Sequence, residues 1–205
     1  MKPRADRVRP LIIQAFFDCL EETDFSELTV GTISSSAQIN RSTFYHHFSD
    51  KYELRDDVMD FMIQSFLDHL EVNFLEMDIL KDPRHLQLLK ENLAATIQYK
   101  RQYEILWNQK LLGRNLFEEM IQAGAKKVEC EILNNPDIPD IKKKYADWYA
   151  RLLLNNYLVT LRWWFSKSNE ISAQQIAYMM QCHMSAGTIP TLKSPEDFSS
   201  AEQTP

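Results

Sequence analysis

The chain has 205 residues and a mass of 24.1 kDa; it is 44% hydrophobic and 25% charged, with a formal net charge of −6. That is enough apolar material for one or two small domains with an ordinary core, and the charged and aromatic fractions argue against disorder. The four glycines, Gly31, Gly113, Gly124 and Gly187, are too scattered to form a G-x-G-x-x-G turn or a P-loop, which excludes a Rossmann dehydrogenase, a kinase and a P-loop NTPase.

No proline falls between Pro10 and Pro83, between Pro83 and Pro136, or between Pro139 and Pro190. Such stretches belong to long helices, and the chain reads as all-α. Residues 4–22 form the first helix, with Val8, Ile12, Ala15, Phe16, Cys19 and Leu20 on one stripe. Its apolar run is broken by Gln14 and Asp18, so it is not read as a secretion signal. Lys2, Arg4, Arg7 and Arg9 against Asp6 make the N-terminal arm basic despite the acidic total.

Thr29 is an expected N-cap for a short helix, V-G-T-I-S-S-S-A, and Asn40 for a second, R-S-T-F-Y-H-H. Ser49 or Asp50 caps a long helix from Lys51 to about Phe74. Further helices are expected from Pro83 to about Tyr99, over 101–110 and 111–133, from Pro139 to about Ser168, and from the Ser172 cap to about Gly187. Residues after Lys193 read as a frayed tail.

Two short helices separated by three or four residues make a helix-turn-helix, whose second helix enters the DNA major groove. Arg41, Ser42 and Thr43 fall in the first turn of that second helix, where hydrogen-bonding side chains reach base edges. Phe44 and Phe48, at i and i+4, lock it onto a core, while Tyr45 and His47 point off the other side. Lys51 adds a cation at the start of the next helix, beside backbone N–H groups suited to phosphate. Adjacent His46 and His47 on one helix cannot both face one ion, so no metal is expected.

The string LTVGTISSSAQINRSTFYHHFSDKYELRDDV resembles the DNA-binding signature of the TetR/AcrR family of bacterial transcription regulators, and the resemblance covers about residues 8–58. It implies that Thr43, Tyr45, His47 and Lys51 contact DNA, mostly its backbone, and that Arg41 and Ser42 stand where identity varies with the operator. Thr29 and His46 complete the set of DNA-binding candidates. The chain departs from the family at Gln38, where a glycine is frequent; a positive φ there costs a non-glycine residue about 1 kcal/mol.

The resemblance implies three regions: a helix-turn-helix domain over 1–52, a helical ligand-binding and dimerisation domain over 53–192 reached by a long helix, and the tail over 193–205, with about nine helices in all. It implies that residues 145–167 and 172–186 pair across a two-fold axis into a four-helix bundle. The apolar stretch 148–165 fits burial on two sides better than a membrane span, because Asn155 and Asn156 lie at its centre and Arg151 and Arg162 near its ends. An effector cavity is expected between the fourth and eighth helices. Tyr103, Trp107, Phe117, Met120, Trp148 and Asn156 are its candidate wall, though each reads equally as ordinary core.

The implied function is a dimeric, sequence-specific DNA-binding regulator acting on a palindromic duplex operator as a ligand-responsive repressor. The alternative is a co-regulator or activator controlled by a protein partner through the helical domain. No nucleophile–base pair or phosphate loop marks an enzyme, and no cofactor is expected. The three scattered cysteines, Cys19, Cys130 and Cys182, read as free thiols of a cytoplasmic protein.

Overall fold

The computed structural model describes residues 5–70, 72, 83–109 and 113–187. The expected tail at 193–205, the basic residues Lys2 and Arg4, and the expected end of the fourth helix at Phe74 lie outside them. The fold is all-α, and ten helices are found among the described residues: α1 Ala5–Glu22, α2 Val30–Ser36, α3 Arg41–Tyr45, α4 Lys51–His69, α5 Pro83–Ile97, α6 Lys100–Asn108, α7 Leu116–Asn134, α8 Asp140–Lys143, α9 Ala146–Lys167 and α10 Ala173–Ala186. The expected helix from Pro139 to Ser168 is two helices, because the chain leaves helical geometry at Tyr145 (φ −107°, ψ 15°).

Local chemistry sets the helix starts. Thr29 caps α2 through a hydrogen bond from the Thr32 N–H to its hydroxyl at 3.1 Å, and Thr32 returns the contact to the Thr29 N–H at 3.0 Å. Ser172 and Gln175 repeat that device at α10. At α4 the cap is Asp50, whose Oδ1 accepts from the Tyr52 and Glu53 N–H groups at 2.8 Å each. Asn40 has the extended backbone of an N-cap, but its side chain makes no capping bond.

The chain divides into two compact units, residues 1–65 with 99–117, and 66–98 with 118–205. The first therefore extends beyond the expected boundary at residue 52 and takes in α6. Its core is Ile12, Phe16, Leu20, Phe25, Leu28, Ile33, Phe44, Phe48, Leu54 and Val58, all buried. Long-range polar contacts explain why α6 joins it. Arg101 donates to Asp18 at 2.7 Å and to Glu21 at 2.8 Å, and the Gln109 amide donates to the Leu20 carbonyl at 2.9 Å. The buried Tyr103 hydroxyl donates to the Met62 carbonyl at 3.3 Å.

In the second unit α9 buries Tyr149, Leu153, Leu154, Leu158, Leu161, Trp164 and Phe165 at helical spacing. Gly124 of α7 lets that helix press against it: a Cβ there would sit 2.7 Å from Leu154 Cδ1. Trp148, Val159 and Trp163 of α9 and Tyr178 and Met179 of α10 are exposed.

Candidate nucleic-acid interface

The turn between α2 and α3 is held by two backbone bonds, Gln38 N–H to the Ser35 carbonyl at 3.1 Å and Ile39 N–H to the Ser34 carbonyl at 3.0 Å. This pair is a Schellman closure, which needs a left-handed residue between helix and exit. Gln38 supplies it with φ +55°, so the strain expected at that position is present. The turn delivers the chain into α3 at a set angle.

Phe44 is fully buried and Phe48 nearly so, with ring centroids 5.9 Å apart. They anchor α3 while Arg41, Ser42, Tyr45 and His46 stay exposed and Thr43 and His47 are half-buried. Six of the eight candidate residues thus fall on one short helix and its C-terminal edge. The His46 and His47 rings are perpendicular at 6.0 Å. Arg9 of the basic arm forms an ion pair with Asp57 and lies over the Phe48 ring at 5.6 Å, so it ties α1 to α4.

The two remaining candidates hold the scaffold. Thr29 is committed to capping α2. Lys51 turns inward: its ammonium donates to the carbonyls of Leu28, Phe25 and Ser26 at 2.7, 2.9 and 3.2 Å and sits 4.8 Å from the Phe25 ring centroid. An ammonium has three N–H donors, and these three carbonyls engage all of them. The N–H groups expected to await phosphate at the start of α4 include two already taken by Asp50. The sequence motif identified Lys51 but gave no sign of its partners, which lie 23 to 26 residues earlier.

The expected effector wall is dispersed. Tyr103 stacks on Trp107 at 5.2 Å, and Trp107 meets Phe117 edge-on at 5.6 Å, an aromatic run within the first unit. Met120 is fully buried in the second unit, and Trp148 is 56% exposed rather than enclosed. Asn156 does line a hollow: a half-open groove of about 460 Å³ between α9 and α10, together with Tyr157, Trp163, Met179, His183 and Met184. Beneath it a smaller cavity of about 60 Å³ is bounded by His85, Leu89, Asn92, Val128 and Tyr157. Burial pushes the Tyr157 hydroxyl up to about 12, against a weaker opposing hydrogen bond with Thr96. Among the described residues no three His, Cys, Asp or Glu side chains converge as a metal site, and no helix is long and apolar enough to cross a membrane.

Residues 12–58 match the family described as bacterial regulatory proteins, tetR family. A curated relative, an uncharacterized HTH-type transcriptional regulator, YxbF, of Bacillus subtilis (strain 168), is 33% identical over 70 residues. That match spans 34% of this chain and 18% of YxbF. Among solved structures, a TetR transcriptional regulator from Streptococcus agalactiae 2603V is similar with a TM-score of 0.56 at 18% identity, over 88% of this chain and 94% of that one. The dihydroxyacetone kinase operon activator DhaS is similar with a TM-score of 0.51 at 18% identity, over 92% and 99% of the two chains. At that identity the two structures show a shared fold.

Proposed function

We propose that this chain is a tetR-family transcriptional regulator with a helix-turn-helix DNA-binding domain, a homodimer that reads a palindromic duplex operator and represses transcription until an effector changes its shape. The observation that carries the reading is α3. It is a five-residue helix pinned by buried Phe44 and presenting Arg41, Ser42, Tyr45 and His46 to solvent. Arg41 and Ser42 read base edges; Thr43, Tyr45, His46 and His47 contact the sugar–phosphate backbone. Thr29 and Lys51 hold the scaffold on which α3 stands.

The dimer is supported by the exposed apolar side chains Trp148, Val159 and Trp163 of α9 and Tyr178 and Met179 of α10, a patch of the kind that marks a protein interface. A single short helix reads few base pairs, and a two-fold pair placed about 34 Å apart meets successive major grooves. Effector control is supported by the hollows of the second unit, mostly apolar with Asn92, Asn156, His85, Thr160 and His183 among their polar groups; Val159, Trp163 and Met179 line the larger one, so it opens on the proposed dimer face. An effector favouring a different spacing of the two reading helices lowers DNA affinity by population shift. Cys19, Cys130 and Cys182, none in a disulfide, fit a reducing cytoplasm.

A second reading, an activator governed by a protein partner, is favoured by the same exposed apolar residues and by the likeness to an operon activator. Selection of duplexes from a random pool by the pure protein, followed by anisotropy and light scattering, tests the main reading. A palindromic consensus bound by a dimer is expected; a monomer that enriches no sequence overturns it.

A further inference from the structure

Gly31 lies in the first turn of α2, a helix of seven residues. Glycine is the poorest helix former after proline, and it brings conformational freedom that a helix does not use. Among the described glycines only Gly113 has a positive φ, so the backbone at Gly31 does not call for glycine. Space does. A Cβ built at Gly31 would stand 2.5 Å from Nη2 of Arg41, 3.2 Å from its Cζ and 3.3 Å from its Nε. The guanidinium plane therefore lies directly on the bare backbone of α2.

The surroundings favour that position. A polar basin of about 490 Å³ is lined by Asp18, Cys19 and Glu22 of α1, by Thr29, Thr32, Ser35 and Ser36, and by Arg41 itself. The Asp18 and Glu22 carboxylates in that lining give the basin a negative charge that favours a cation. An exposed arginine ordinarily samples many rotamers. Here the side chain lies in the gap at Gly31, beside the first turn of α3.

Arginine discriminates a base pair by presenting its planar fork to two acceptors, so the angle of approach decides which pair it accepts. We propose that Gly31 is a specificity-determining residue: the space left by its missing side chain seats the Arg41 guanidinium against α2 and fixes the direction from which Arg41 meets DNA. The proposal rests on the reading of Arg41 as a base-contacting residue. Gly31 touches no base and acts as a positioning residue through Arg41.

The test uses the full chain and its Gly31→Ala, Gly31→Ser, Arg41→Ala, Arg41→Lys and Gly31→Ala/Arg41→Ala variants. Each is taken through selection from a random duplex pool and through competition anisotropy on the wild-type consensus and its single-base-pair changes. Arg41→Ala is expected to lose roughly tenfold discrimination at one base pair per half-site. Gly31→Ala and Gly31→Ser are expected to change preference at that same base pair and leave the others as they were. Adding Gly31→Ala to Arg41→Ala is expected to change nothing more. Alanine and serine are better helix formers than glycine, so both single variants should melt no lower than wild type. Arg41→Lys leaves α2 untouched and should lose the same base pair, for want of the planar fork. Wild-type preference in both Gly31 variants, or an equal change with and without Arg41, overturns the proposal. A wild-type protein that enriches no sequence, or an Arg41→Ala variant that keeps every preference, overturns the base-reading premise and the proposal with it.

Discussion

The Lys51 ammonium donates to the Leu28 carbonyl at 2.7 Å, one residue before the cap of α2. With its bonds to Phe25 and Ser26, it gathers the whole α1–α2 loop onto the first turn of α4. The residue that the family resemblance marks as a DNA contact is held in this structure by three backbone carbonyls.

Lys51→Met keeps the aliphatic stem and removes the donors. It is expected to cost about 1–3 kcal/mol of stability, the usual worth of hydrogen bonds from a charged group. Operator and random DNA should both bind more weakly, with the slope of log K against log salt unchanged. A slope reduced by about one, with stability intact, would mark Lys51 as a phosphate contact instead. Urea melts and a salt series decide between them.

Gln38 carries φ +55° inside the turn that delivers α3. Replacing it with glycine relieves the contact between Cβ and the following carbonyl oxygen, at a cost in unfolded-chain entropy. Gln38→Gly should gain about 0.5–1 kcal/mol, read as a higher urea midpoint with the same slope. A lower midpoint would show that the Gln38 side chain contributes a contact worth more than the strain.

Arg101 joins α6 to α1 through Asp18 and Glu21. Its hydrogen bond holds the Glu21 carboxyl below the ordinary carboxylate range. A carboxylate whose folded value is depressed stabilises the fold above its unfolded value, and that stabilisation is lost as pH falls through the folded value. The difference in melting temperature between wild type and Arg101→Ala should therefore be small and constant near neutrality, then shrink on acidification below about pH 4.5. A difference that persists undiminished at pH 3 would place the worth of Arg101 in packing rather than in the ion pair.

Trp163 and Val159 are exposed on α9, 46% and 56% respectively. A carboxylate introduced into a two-fold apolar interface is desolvated twice, once from each subunit. Trp163→Glu is expected to shift light scattering from dimer to monomer while the circular dichroism spectrum and melting temperature of the monomer stay close to native. Operator affinity should fall at least tenfold, because one reading helix replaces two. An unchanged dimer would move the interface off this face.

The features legible in the chain are those set by near neighbours. The hydroxyl caps at Thr29 and Ser172 act over three residues, and the Phe44–Phe48 spacing over four. The strained turn residue at Gln38 is likewise local, closed by bonds to Ser34 and Ser35. So the capped starts of α2 and α10 and the buried face of α3 follow from sequence, whereas the break at Tyr145 and the start of α7 at Leu116 do not. Tertiary structure decided what the long side chains do. Lys51 finds carbonyls on another element, Arg101 reaches carboxylates 80 and 83 residues away, and the guanidinium of Arg41 rests on a glycine ten positions earlier. Of the aromatic residues expected to ring one cavity, Tyr103, Trp107 and Phe117 form one run in the first unit and Trp148 is exposed. Caps and periodicity are short-range and repeat from helix to helix, whereas the partner of a flexible charged side chain depends on which backbone atoms and helices the fold brings within its reach.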